Sequence, residues 1–276
     1  MHFVAARIAS AQSASDDDFT SSYAGLDMNL MRLASSALFS GALAAGLALG
    51  APLAFASEPV HQVRPVEAGF DRITINGSVD VTFVQGPTPG ISIDAPADIA
   101  SGIHTKVEDG MLKIDSSGLH IIEFLGGGRH SHMMITVTAP NLKEIDINGS
   151  SDLYAQSLTS NDDLSVRLRS SGDLHIDKIA VRKLSTAIQG SADVHLAGSA
   201  AEQSISIQGS GDYHAEDLKS SAVSVSIQGS GDAAIWAQDT LAIQIAGSGD
   251  VEYWGKPTVS QSIAGSGDVV AHGAKN

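Results

Sequence analysis

The feature that most constrains this chain is a six-residue phrase that returns at a nearly constant step. Ile207-Gln208-Gly209-Ser210-Gly211-Asp212 is followed by Ile227-Gln228-Gly229-Ser230-Gly231-Asp232. Ile245-Ala246-Gly247-Ser248-Gly249-Asp250 and Ile263-Ala264-Gly265-Ser266-Gly267-Asp268 come next. Looser copies lie upstream, so the closing aspartates are Asp80, Asp152, Asp173, Asp193, Asp212, Asp232, Asp250 and Asp268. Subtraction gives one interval of 72 residues and then steps of 21, 20, 19, 20, 18 and 18. A period near 20 that opens on β-branched residues and turns on glycine is the signature of a solenoid, in which each coil buries an apolar face against the next. The chain therefore reads as all-β, a single-stranded parallel β-helix (solenoid) of about 20 residues per coil and about ten coils. Strand twist favours right-handed over left-handed winding.

Alternation of side chains along a strand assigns each letter of the phrase a place. In residues 241–254, Ile243, Ile245, Gly247, Gly249, Val251 and Tyr253 fall on one face, and Gln244, Ala246, Ser248, Asp250 and Glu252 on the other. The apolar set must face the core, so the serine and aspartate columns face solvent. The second glycine of the phrase is replaced by Val79, Ser151 and Ala192. A β-branched residue disfavours positive φ, so scarce inward space is the better reason for glycine there. At the first glycine (Gly209, Gly229, Gly247, Gly265) only Ser170 departs, and a special backbone angle stays open as an explanation.

Stacking places equivalent residues in columns about 4.8 Å apart. Gln189, Gln208 and Gln228 are then positioned for an amide ladder, and the serines for a weaker one. The aspartate column poses a problem, because like charges at that spacing repel by roughly 0.9 kcal/mol in water. Capping of turn N–H groups, bound cations or solvation must offset this. Turn capping is the first expectation and a calcium ladder the alternative. Two residues after three successive aspartates stand His175, His195 and His214, with Tyr154 before them. Facing outward in a row, they are candidates for a transition-metal site or a pH-sensitive strip, against the plainer reading of solvated surface histidines. His130 and His132 form a weaker candidate pair. No cofactor beyond such a divalent cation is implied.

Composition narrows the function classes. With aromatic residues at 5% and 28 glycines, short strands and tight turns are better supported than helices. A formal net charge of −15 argues against nucleic acid and anionic membrane surfaces as partners. The chain has no cysteine, which excludes disulfides, thiolate metal sites, a cysteine nucleophile and a lipid anchor attached to cysteine. Residues 1–27, with Asp16-Asp17-Asp18 in a Ser/Ala-rich stretch, read as disordered or as sequence upstream of the true start. Residues 28–56 read as a signal peptide, with Arg32, an apolar run from Leu33 to Leu49 and Ala54-Phe55-Ala56 as the cleavage site. Residues 57–69 are a lead-in, 70–270 the solenoid and 271–276 a tail. After cleavage no membrane span is expected. The 72-residue interval has room for three or four coils, interrupted by a glycine-rich loop at 126–132 that reads as exposed and flexible.

Catalytic signals are weak. A flat row of aspartates supplies carboxylate pairs at glycosidase spacing by construction, so that spacing carries no specificity. The chain contains no G-x-S-x-G, no H-E-x-x-H and no phosphate loop. No catalytic residues are assigned.

The repeated Gly-Ser-Gly-Asp, the opening Phe70-Asp71-Arg72-Ile73 before Asn76-Gly77-Ser78-Val79-Asp80-Val81, and Thr138-Ala139-Pro140-Asn141-Leu142 resemble one bacterial family. So does the closing run Tyr253-Trp254-Gly255-Lys256-Pro257-Thr258-Val259. The family is the "putative auto-transporter adhesin, head GIN domain". That resemblance implies an exported parallel β-helix without catalytic residues, in the periplasm or on the surface of a Gram-negative bacterium. The chain stops at Asn276 without a translocator barrel of membrane strands, so export by another route is expected. The reading is a non-enzymatic envelope binding or scaffold module (adhesin-like) whose flat polar faces contact glycan or protein. The alternatives are a carbohydrate-active enzyme (a polysaccharide lyase or hydrolase) and a metal- or pH-responsive module built on the histidine column.

Overall fold

The computed structural model describes residues 59–66, 69–119 and 133–275. The expected upstream segment, signal peptide and cleavage site, and the glycine-rich loop with His130 and His132, lie outside the described residues. The first part of the chain contains β1 (Pro59–Arg64), β2 (Arg72–Gly77), β3 (Asp80–Gln85) and β4 (Gly90–Pro96). A six-residue helix, α1 (Ala97–Gly102), follows, then β5 (His104–Glu108), β6 (Met111–Asp115) and β7 (Met134–Ala139). The regular part begins with β8 (Glu144–Gly149), β9 (Leu153–Ala155), β10 (Leu158–Thr159) and β11 (Leu164–Ser170). It continues with β12 (Leu174–Gly190), β13 (Val194–Gly209), β14 (Tyr213–Gly229), β15 (Ala233–Gly247), β16 (Val251–Trp254), β17 (Thr258–Gly265) and β18 (Val269–Gly273).

From β8 onward the strands stack in parallel register. Ile145, Val166, Thr186, Ile205, Val225, Ile243 and Gln261 form one inward column. The β-solenoid has about six turns of about 20 residues, fewer than the ten anticipated from length. The core is a stack of aliphatic side chains such as Ile147, Leu168, Ile188, Ile207, Ile227 and Ile245, each no more than 2% exposed. Burying each removes roughly 1.5–3 kcal/mol worth of apolar surface from water, and stacking supplies that burial without aromatic bulk.

The 72-residue interval does not contain three or four coils. It contains one extra layer and a cover. β2 lies between β6 and β8, and β3 between β7 and β9, so Asp80 and Asp152 belong to adjacent layers despite their separation in sequence. β5 then pairs antiparallel with β6, β4 with β7, and β1 with β4. The turn that folds β5 back onto β6 is Asp109-Gly110, both at positive φ (49° and 73°). That two-residue geometry matches the twist of the flanking strands. No described helix is long and apolar enough to cross a membrane.

Candidate functional site

The corner of the coil positions everything that follows. At the first glycine of the phrase, φ runs from +115° at Gly77 to +148° at Gly265, so the backbone angle left open by the sequence is the reason for glycine here. Space is a second constraint, since a Cβ on Gly229 would lie 2.1 Å from the Gly209 carbonyl oxygen of the preceding coil. Ser170 occupies the same corner at φ 116°. The second glycine needs only space: a Cβ on Gly211 would lie 2.2 Å from the Ala192 oxygen.

The aspartate column is held by capping across coils. Asp152 accepts from the Asp173 N–H at 3.0 Å and Asp173 from the Asp193 N–H at 2.9 Å. The same bond joins Asp193 to the Asp212 N–H, Asp212 to Asp232, Asp232 to Asp250 and Asp250 to Asp268. Each carboxylate thus spends one oxygen on the next turn's N–H, which offsets the like-charge repulsion along the row. Asp80 falls outside this pattern. No such bond links it to Asp152, and burial together with the Asp152 charge pushes its carboxyl above the ordinary value. Gln189, Gln208 and Gln228 are in register, but their amides make no hydrogen bonds to one another, so that expected ladder is not formed.

The histidines form a stack. His175 pairs in register with Tyr154 and His195, and His195 with His214. Ring centroids are 5.7 Å apart between His175 and His195 and 4.4 Å between His195 and His214, where the planes differ by 9°. Tyr154 continues the row at 5.7 Å from His175. Along the column each ring thus presents a face to its neighbour, most nearly parallel between His195 and His214. Among the described residues no group of three His, Asp or Glu side chains is placed to hold a metal ion. Partial burial, and then the flanking His214 and His175, push the His195 imidazole below its ordinary value. Asp177 accepts from the Tyr154 hydroxyl and lies 2.8 Å from His175 Nε2; those bonds hold its carboxyl below the usual range.

Beside the stack the coils bulge. Register slips between Ile176 and Ile179, His195 and Ala197, and Ala215 and Lys219. Such irregularities re-aim side chains, and here they open a groove of about 220 Å³. His175, His195, His214, Asp177, Glu216 and Asp217 are among its lining residues; Glu216 Oε2 is buried without a hydrogen-bond partner, and Asp217 lies 2.6 Å from Lys275 Nζ. The same outward strip carries a second set of rings, which includes Trp236 and Trp254, the two tryptophans that the sequence offers for stacking on sugars. Trp254 stacks on His272 at 4.4 Å, and Lys275 reaches over Trp254 at 5.2 Å and Trp236 at 5.7 Å. Trp236 and Trp254 pair in register on β15 and β16.

A family model described as "Putative auto-transporter adhesin, head GIN domain" matches residues 69–257. The chain belongs to that family. No curated protein matches it. Among solved structures, a "putative adhesin" from Bacteroides fragilis NCTC 9343 is 25% identical with a TM-score of 0.69, covering 78% of this chain and 97% of its own. A "putative lipid binding protein" from Parabacteroides distasonis ATCC 8503 is 24% identical with a TM-score of 0.62, covering 77% and 96%. A "putative adhesin" from Parabacteroides merdae ATCC 43184 is 21% identical with a TM-score of 0.59, covering 78% and 96%. The latter two share the fold. The family and its adhesin relative support a non-enzymatic binding role and an exported or surface protein for this head GIN domain.

Proposed function

We propose that this head GIN domain is an exported envelope module that binds a neutral glycan along the ring-lined strip of its solenoid. The observation that carries this reading is the stack of Tyr154, His175, His195 and His214 beside a groove also lined by Asp177, Glu216 and Asp217. The stacked rings turn their faces to one another and their edges outward, so the imidazole nitrogens meet sugar hydroxyls, and carboxylates lining the groove accept hydrogen bonds from the same hydroxyls. The net charge of −15 disfavours anionic polymers, which leaves uncharged, hydroxyl-rich chains as the matching partner. The rigid ladder places the rings without ordering cost, because each is fixed by its own strand. Glycan-array binding followed by calorimetry on the best neutral oligosaccharide tests this. Binding without release of new reducing ends, weakened about tenfold or more in a His195→Ala/His214→Ala variant, is the expected result. Undiminished binding in that variant, or cleavage of the sugar, would overturn it.

A further inference from the structure

The two ends of the solenoid are finished differently. At the end made by the first part of the chain, the outer layer β6/β7 is covered by β5, β4 and β1. The edge strands β5 and β1 carry His104, Lys106, Glu108, His61 and Arg64, the charges that discourage further strand pairing. At the other end β17 pairs with β15 on one side only among the described residues. Its sequence, Thr258 to Gly265, contains no charge, all eight residues are exposed, and the core-facing Val259 and Ile263 are 36% and 39% exposed. A repeat array needs a polar terminal coil to stay dispersed, yet of the three core-facing positions here only Gln261 is polar, and Val259 and Ile263 stay apolar.

The backbone of β17 fixes how it can be completed. The Ser266 N–H donates back to the Gly247 oxygen of the preceding layer. Alternation then turns the N–H and C=O groups of Ser260, Ser262 and Ala264 toward β15, and those of Val259, Gln261 and Ile263 away from it. An added strand must therefore bond to Val259, Gln261 and Ile263. It must also place apolar side chains on the core side. Because the edge strands at the opposite end carry charges, head-to-tail stacking of a second copy is disfavoured, and the terminal coil of a second copy, in which β17 and β18 are each paired on one side, is what remains; β17 is its longer, uncharged strand.

We propose that two copies of this chain join end to end through β17, antiparallel about a two-fold axis at Gln261. In this register Gln261 faces Gln261 of the second copy, and Val259 faces the second copy's Ile263, each pair exchanging N–H···O bonds. The two exposed apolar residues cover each other on either side of the core-facing Gln261 pair, whose amides hydrogen-bond across the axis. The same register sets Lys256 opposite the second copy's Ser266, one same-face step from its Asp268, within reach of a lysine side chain. These two charges suit each other. Lys256 is exposed and makes no ion pair among the described residues, and Asp268 is the last of its column, with no following turn's N–H to bond. A register shifted by one residue would put core side chains on the solvent side. A shift by two would break the Val259–Ile263 match. The pairing is isologous and closes at the dimer.

Sedimentation of the full chain over a concentration series tests the proposal. The expected species is a dimer of twice the 28.4 kDa chain, dissociating on dilution. Gln261→Pro removes an N–H that points out of the isolated coil and a side chain exposed at its end, so it should leave the circular dichroism melt of the monomer unchanged and weaken the dimer at least about tenfold. Lys256→Asp should weaken it, and adding Asp268→Lys should restore it. Because the chain has no cysteine, Gln261→Cys gives one thiol, which should cross-link across the axis while a Ser185→Cys control does not. A monomer at all concentrations, dimers indifferent to Gln261→Pro, or equal cross-linking of both thiols would overturn the proposal.

Discussion

At the scale of the residue, the corner of the coil sets most of what single substitutions will do. Ser170 holds φ 116° where the other seven copies have glycine, a conformation that costs a side chain about 1–3 kcal/mol. Ser170→Gly should therefore stabilise the fold by about 1 kcal/mol, seen as a higher urea midpoint at unchanged slope. Gly229→Ala should do the reverse by more, because its Cβ would also meet the Gly209 oxygen at 2.1 Å. The aspartate column supplies a paired test. Asp232→Ala removes the acceptor for the Asp250 N–H, 2.7 Å away, and should cost about 1–2 kcal/mol. Asp232→Asn keeps an acceptor and sheds a like charge, so it should cost less. Asp80 should respond oppositely. Its folded carboxyl is held above the unfolded value, so its contribution is favourable below the unfolded pKa and is lost as pH rises through the folded one. Asp80→Asn should accordingly stabilise the protein at about pH 7 and make no difference at about pH 3. Equal effects at both pH values in matched urea titrations would refute the assignment.

At the scale of the element, the regular coils were legible because one rule, alternation, fixes every side chain once the period is known. The phrase ending at Asp212 predicted that Ile207 and Gly211 face in and Ser210 faces out, and the strands place them so. The interval between Asp80 and Asp152 was not legible by that rule. Its strands reverse direction, and a spacing count cannot tell a reversed strand from another coil. A local signal was present all the same: Glu108-Asp109-Gly110-Met111 is a two-residue hairpin sequence, and it folds as one. The histidine column was placed correctly by register, but a one-dimensional pattern cannot say whether neighbouring rings converge or stack. Nor does it reveal the bulges that open the groove. Element β14 hides a further feature, since Tyr213 is fully buried and donates to Gln203 Oε1 at 2.7 Å, while Gln203 donates to Ser220 at 2.6 Å. Tyr213→Phe keeps the ring but strands the Gln203 oxygen, which should cost about 1–3 kcal/mol. Burial pushes the Tyr213 hydroxyl well above its ordinary value. Its stabilisation is thus complete below the unfolded tyrosine pKa of about 10 and declines above it, so the wild type should lose more stability than Tyr213→Phe between about pH 9 and 11.

At the scale of the whole molecule, a solenoid couples its turns only to their neighbours, so a local charge change is felt along the stack and hardly elsewhere. The histidine column is where this matters for binding. His195 sits between His175 and His214, and its imidazole is held below the ordinary value by partial burial and by those two neighbours. The unfolded chain therefore takes up the proton first as pH falls. The stabilisation is present above the unfolded value of about 6.5 and is lost as pH drops through the folded one. Protonation of His195 over the same window places a charge inside the ring stack that the glycan reading requires, 4.4 Å from the next ring. Acidification from about pH 7 to 5 should thus weaken oligosaccharide binding and lower the urea midpoint together. His195→Gln should remove most of both pH dependences while leaving the fold at pH 7 intact, because its side chain points outward from β13. Binding and stability measured side by side on the two proteins decide the matter. If the pH dependence persists in His195→Gln, His195 is not its source.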